Sequence, residues 1–109
     1  MQNSLHHYRM AVAFLKEHLF EKLCVSDIAA YCGVSTSGLE KHFARCNQRG
    51  VMRVFLNLKL EKAATMLKEG YTVKHLAKIF CFSSQAHFSM AFKKKYGVSP
   101  LQYKYSGIK

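Results

Sequence analysis

One pattern occurs twice in this chain of 109 residues, and it limits the folds open to it. Val25, Ile28, Ala29, Val34 and Ser35 match Val73, Leu76, Ala77, Phe82 and Ser83 at an offset of 48. Leu39 and Phe43 match Phe88 and Phe92 at an offset of 49, so the second copy carries one extra residue in its turn. In each copy apolar residues recur at three- and four-residue spacing, break at a short turn and resume, which is helical patterning. Two short helices that pack crosswise across a tight turn make a helix-turn-helix. In the first copy Gly33 can take the positive φ such a turn demands, Val34 plugs the turn and Ser35 caps the next helix. In the second, Leu76, Ala77, Phe82, Phe88 and Phe92 form the apolar set.

The rest of the chain reads as helices that support this pair. A first helix is expected from about Leu5 to Leu19, with Ser4 or Asn3 as N-cap; Leu5, Tyr8, Val12, Leu15 and Leu19 make one apolar stripe. An amphipathic helix with basic residues can also lie on a membrane, but continuity with a packed domain favours a scaffold role. Between the copies a long helix, roughly Val51 to Lys68, ends before Gly70. Val51, Val54, Phe55, Leu58, Leu60, Ala63, Met66 and Leu67 cover more than one stripe of it, so two bodies are expected to bury it. The last element starts at Ser99 as N-cap with Pro100 in its first turn, and Leu101 and Tyr103 are expected to pack it down. Residues 106–109 are expected to fray.

Composition narrows the partner. Seventeen Lys and Arg against six Asp and Glu leave a formal net charge of +11, and a polyanion is the default partner of such a balance. No apolar run approaches the ~18 residues a spanning helix needs, and the N-terminus lacks the order of a signal peptide, so a cytoplasmic, nucleoid-associated protein is expected. Cys24, Cys32, Cys46 and Cys81 show no C-x-x-C spacing and read as small packing residues rather than disulfides. Charge alone leaves DNA, RNA or an anionic membrane surface open; the two helix-turn-helix patterns point to double-stranded DNA, whose major groove takes the second helix of each motif. The central helix would be about 27 Å long at 1.5 Å per residue. This is comparable with the ~34 Å repeat between major grooves on one face of DNA. Two reading heads in adjacent grooves would let the chain bind as a monomer.

These residues resemble the DNA-binding domain of the AraC/XylS transcription regulators, over about Leu5 to Tyr105. The resemblance is most specific in FSSQAHFSMAFKKKYGVSPLQY (Phe82–Tyr103), with support from IAAYCGVSTSGLEKHF (Ile28–Phe43) and LKLEKA (Leu58–Ala63). It implies an all-α fold of seven helices in two helix-turn-helix subdomains, about 4–48 and 71–105, joined by a central helix over about 50–69. It also implies transcriptional regulation at an asymmetric DNA site, commonly with contact to RNA polymerase. Such a module stands nearly alone in the MarA/SoxS-like group and otherwise ends a longer regulator. The chain departs from the family pattern at Cys81 and Gln48, where glycines are expected, at Cys24, where Ser or Thr is the common cap, and at Met90, where Arg is frequent. Either Cys81 takes a positive φ, at a cost of order 1–2 kcal/mol, or the second turn differs from the first.

The residues expected to read bases lie on the outward faces of the second helices. In the first copy these are Thr36, Ser37, Glu40 and Lys41, with Thr36 and Ser37 acting more through phosphate or water than directly, Gly38 as a bare spot and Ala44 at the margin. Lys41 can donate to guanine O6 and N7, and Glu40 can accept from cytosine N4 or simply be a solvated or Lys-orienting charge. In the second copy they are Gln85, Ala86, Ser89 and Met90. Gln85 can pair with adenine N6 and N7, while Ala86 and Met90 can meet thymine methyls. His87 is read equally as a base reader and as a partly buried or phosphate-facing residue. Phosphate contacts are expected from Ser35, Arg45, Ser84, Lys93 and Lys94, with Lys74, Lys78, Arg49 and Arg53 as additions.

Other classes fit less well. His42 and Cys46, four apart on one helix, are half of a zinc site with no second pair in view. No paired carboxylates, nucleophile elbow or phosphate-cradling glycine loop is present, so no enzyme, metal or cofactor is expected. A thiol-redox regulator would need an exposed cysteine beside a cation. A module that binds RNA polymerase or another protein, with little DNA specificity, is the remaining alternative.

Overall fold

The computed structural model describes residues 4–47 and 49–105, which form seven α-helices and no strands. They are α1 (Ser4–Glu17), α2 (Val25–Cys32), α3 (Thr36–Asn47), α4 (Val51–Lys68), α5 (Val73–Ile79), α6 (Gln85–Tyr96) and α7 (Pro100–Tyr105). The all-α architecture with two helix-turn-helix pairs, α2–α3 and α5–α6, is therefore the one expected. The chain divides into two compact units, residues 1–58 and 59–109, so the boundary falls inside α4. Asn3 as a cap, Gln48 and the expected fraying of 106–109 lie outside the described residues, as does the side chain of Ser4.

In the first unit, Ala11, Leu15, Ile28, Ala29, Cys32, Leu39, Phe43, Val51, Val54 and Phe55 make one buried cluster. The stripe on α1 is centred on Ala11 and Leu15, while Leu5 is 47% exposed. Tyr8 sets its ring edge-on to Phe43 at 4.9 Å, and its hydroxyl accepts a 2.7 Å bond from Asn47 Nδ2. Through that aromatic and polar pair α1 seats α3. The helix ends at Glu17, two residues earlier than its stripe suggests, in a turn where His18 N–H bonds to Leu15 O at 3.0 Å.

The turn of each pair is built by the same two backbone bonds. Gly33 N–H donates to Ala30 O and Val34 N–H to Ala29 O, at 3.2 and 3.1 Å. In the second copy Cys81 N–H donates to Lys78 O and Phe82 N–H to Ala77 O, at 3.1 and 2.9 Å. Gly33 has φ +72° and Cys81, among the described residues the one non-glycine at positive φ, has +64°. Of the two alternatives open to it, Cys81 takes the left-handed conformation and the turn is kept.

The second unit is held by aromatic packing that the apolar pattern shows only in part. Phe80, Phe88 and Phe92 are fully buried, with Leu60, Leu67 and Leu76. Phe80 stands where the first copy has Cys32, and the left-handed turn at Cys81 sends Phe80 inward, leaving Phe82 half-buried against Phe88. Tyr103 packs α7 onto Phe92 at 5.4 Å as expected, but Leu101 is 55% exposed and does not. Six residues of helix offer one inward face, and Tyr103 with Pro100 fills it.

Burial in this unit includes one cation. Lys59 is 8% exposed, and its Nζ donates to Phe80 O at 2.9 Å, satisfying a carbonyl at the end of α5. Burial pushes its ammonium down from its ordinary range, with an opposing electrostatic contribution from Cys81. The expectation that all four cysteines are packing residues holds for the buried Cys32 and in part for the half-buried Cys46. It does not hold for Cys24 and Cys81, which are exposed at the cap of α2 and in the second turn.

Candidate nucleic-acid interface

Each second helix is organised from its start by a serine. Ser35 Oγ accepts from Gly38 N–H and Ser84 Oγ accepts from His87 N–H, both at 3.0 Å. A cap of this kind meets one orphan donor of the helix N-terminus; Ser35 Oγ also lies 3.5 Å from Ser37 Oγ. The cap of α6 is Ser84, not the Ser83 that matches Ser35 in the repeat, so the extra residue of the second turn lies ahead of the cap. Ser83 instead bonds His87 Nδ1 at 3.0 Å, and the His87 ring meets Phe82 edge-on at 5.2 Å. His87 is thereby anchored at the exposed helix start.

The first helices of the two pairs are started differently. Thr72 Oγ1 accepts from His75 N–H at 3.1 Å. At Cys24 the work is done from the other side: the Asp27 carboxylate accepts from Cys24 N–H at 2.9 Å and from its Sγ at 3.2 Å. Those bonds hold the Asp27 carboxyl below its usual range. The helix expected to suffer from a weak cap has a carboxylate in its place.

On α3, Thr36, Ser37, Lys41, Ala44 and Arg45 are exposed, while Gly38 and Glu40 are half-buried. A Cβ at Gly38 would come within 3.1 Å of Ser35 Oγ, so the bare spot protects the cap. Glu40 turns one oxygen to the start of α4, where Oε1 accepts from Val51 N–H at 3.1 Å. On α6, Gln85, Ala86, Met90, Lys93 and Lys94 are exposed and Ser89 is half-buried. Met90 is 72% exposed. Lys95, the third lysine of the run, is turned aside to Glu61 at 3.7 Å and over the Tyr96 ring.

Two further features are absent from the sequence pattern. Gln85 and Ser89 share the wall of a shallow groove of about 420 Å³ with Lys74 and Lys104, which α5 and α7 contribute. Lys104 is poised there by donating to Tyr71 O at 3.1 Å. Elsewhere, His42 on α3 stacks on His7 of α1 at 4.6 Å and 13°. Burial, then His7 and Arg45, push the His42 imidazole down. Among the described residues no group of three His, Cys, Asp or Glu side chains is placed to hold a metal ion, and no helix is long and apolar enough to cross a membrane.

Known proteins place this arrangement. Residues 28–106 match the model of a family described as a helix-turn-helix domain. The HTH-type transcriptional regulator GbdR of Pseudomonas aeruginosa is 29% identical over 90 residues, 82% of this chain and 24% of the regulator. The chain thus spans about a quarter of the length of that relative. Among solved structures, an AraC-type transcriptional regulator from Chromobacterium violaceum superposes with a TM-score of 0.88 at 26% identity, covering 93% of this chain and 91% of that one. The DNA-binding domain of the global transcriptional factor AdpA, solved with a target DNA, superposes with a TM-score of 0.84 at 23% identity, covering 91% and 90%, a likeness of fold.

Proposed function

The chain belongs to the AraC-type helix-turn-helix family, and on that premise we propose that it binds double-stranded DNA sequence-specifically as a transcriptional regulator. The observation that carries the proposal is the pair of serine-capped helices, α3 and α6, each following the same hydrogen-bonded turn and each exposing polar, cationic and small apolar groups. A helix so presented can enter a major groove with its N-terminal half against base edges.

On α3 we assign base reading to Thr36, Ser37 and Lys41; on α6, to Gln85, Ala86, Ser89 and Met90. Lys41 suits guanine, Gln85 suits adenine, and Ala86 and Met90 suit thymine methyls. Ser35, Ser84, Arg45, Lys93 and Lys94 hold phosphates, with Lys74 and Lys104 flanking Gln85. Lys93 and Lys94 end α6 exposed, where cations are favoured by the helix C-terminus and reach a polyanion without first breaking an ion pair. Regulation would be exercised at a promoter through RNA polymerase, as the family resemblance implies.

Selection from random duplex DNA tests the reading. A defined site should be enriched, and Gln85→Ala should relax one position of it at a cost of about 1–3 kcal/mol in discrimination. Binding to random duplex as tight as to the best site would instead favour a protein-docking module. Transcription in vitro from a promoter bearing the selected site, with and without the protein, tests the polymerase step.

A further inference from the structure

Glu40 stands on the outward-facing helix α3, yet its Oε1 lies 3.1 Å from the backbone N of Val51. Val51 is the first residue of α4 and is fully buried. Its N–H has no carbonyl inside the helix to reach, because the bonding of α4 begins with Val54 N–H donating to Gly50 O at 3.1 Å. A buried donor without a partner is costly, and Glu40 supplies the partner. The first turn of α4 contains no acidic residue of its own, so Glu40 also brings the negative charge that a helix N-terminus favours. A Cβ at Gly50 would lie 3.6 Å from the same oxygen, which puts the carboxylate in contact with the turn itself.

We propose that Glu40 is a positioning residue rather than a base reader: it ties α3 to the start of α4 and so sets how Thr36, Ser37 and Lys41 meet the major groove. Swinging the carboxylate outward to present both oxygens to a base would take Oε1 off Val51 and strand a buried N–H, so at most Oε2 stays available. The proposal rests on the DNA-binding reading above.

The test compares the full chain with E40Q and E40A, by thermal unfolding and by selection from random duplex. Glutamine keeps an oxygen for Val51 N–H but offers a base an amide, which suits adenine rather than cytosine. E40Q should therefore retain the selected site base for base and melt within about 2 °C of the parent. E40A should melt about 4–8 °C lower and bind every sequence about three- to tenfold more weakly, with the order of preference unchanged. A changed base at any single position in either variant, or an unchanged melting temperature for E40A, overturns the proposal. If the parent enriches no sequence, the DNA-binding reading fails and the positioning role with it; the melting of E40A against E40Q still decides whether Glu40 ties the two helices.

Discussion

Cys81 holds a φ of +64° in a turn where its counterpart Gly33 holds +72°. Both turns close with the same pair of backbone bonds, so the second copy keeps the geometry and accepts the strain of a Cβ in the left-handed region. Cys81→Gly should relieve that strain by about 1–2 kcal/mol, less the entropy that glycine adds to the unfolded chain. A net gain of about 1 kcal/mol, seen as a melting temperature raised by about 4–8 °C, is expected. Thermal unfolding followed by circular dichroism checks it. This residue was legible from the sequence because turn chemistry is local: a position that calls for glycine lacks one. Cys24 was not. Its weakness as a cap is real, but the compensating Asp27 carboxylate is a geometric outcome that residue type alone leaves open.

Helix starts were legible wherever the capping group is itself the boundary residue, as at Ser35 and Ser99. At Ser99 the cap is completed by Gln102, whose Oε1 accepts from Ser99 N–H at 3.0 Å while Ser99 Oγ accepts from Gln102 N–H at 3.2 Å. Contacts between helices were less legible. Lys59 reads as one more surface cation on a helix, and only the fold brings Phe80 O to it. The stack of His7 on His42 is of the same kind, joining α1 to α3. His6 packs edge-on to His7 at 5.5 Å, and Arg45 also acts on His42. The folded chain therefore binds a proton at His42 less readily than the unfolded chain does. Stability should be present above about pH 6.5, the ordinary histidine value, and should fall as pH drops through and below it. Thermal melts between pH 7.5 and 5 should show this loss, and His42→Asn should reduce the slope.

At the scale of the whole molecule the decisive quantity is charge. With a net charge of +11, neutralising six to ten phosphates would lower affinity ~10³–10⁵-fold between 50 and 200 mM salt. Replacing Lys93 and Lys94 together by Gln should reduce the slope of log affinity against log salt by about 2, while leaving the selected site unchanged. Binding titrations at several salt concentrations check both statements, and a flat response would rule out phosphate anchoring. The helical duplication, the position of each turn, most of the caps and the sign of the partner's charge can be read along the chain without a fold. Each of these depends on the period of apolar residues, on the chemistry of neighbouring positions, or on a sum over the chain. Only the tertiary structure decided that Glu40 faces Val51, that Phe80 fills the second core, that Lys95 turns to Glu61 and that His42 meets His7. A long side chain can point several ways from its helix, and which way it takes depends on residues from other elements that the fold brings beside it.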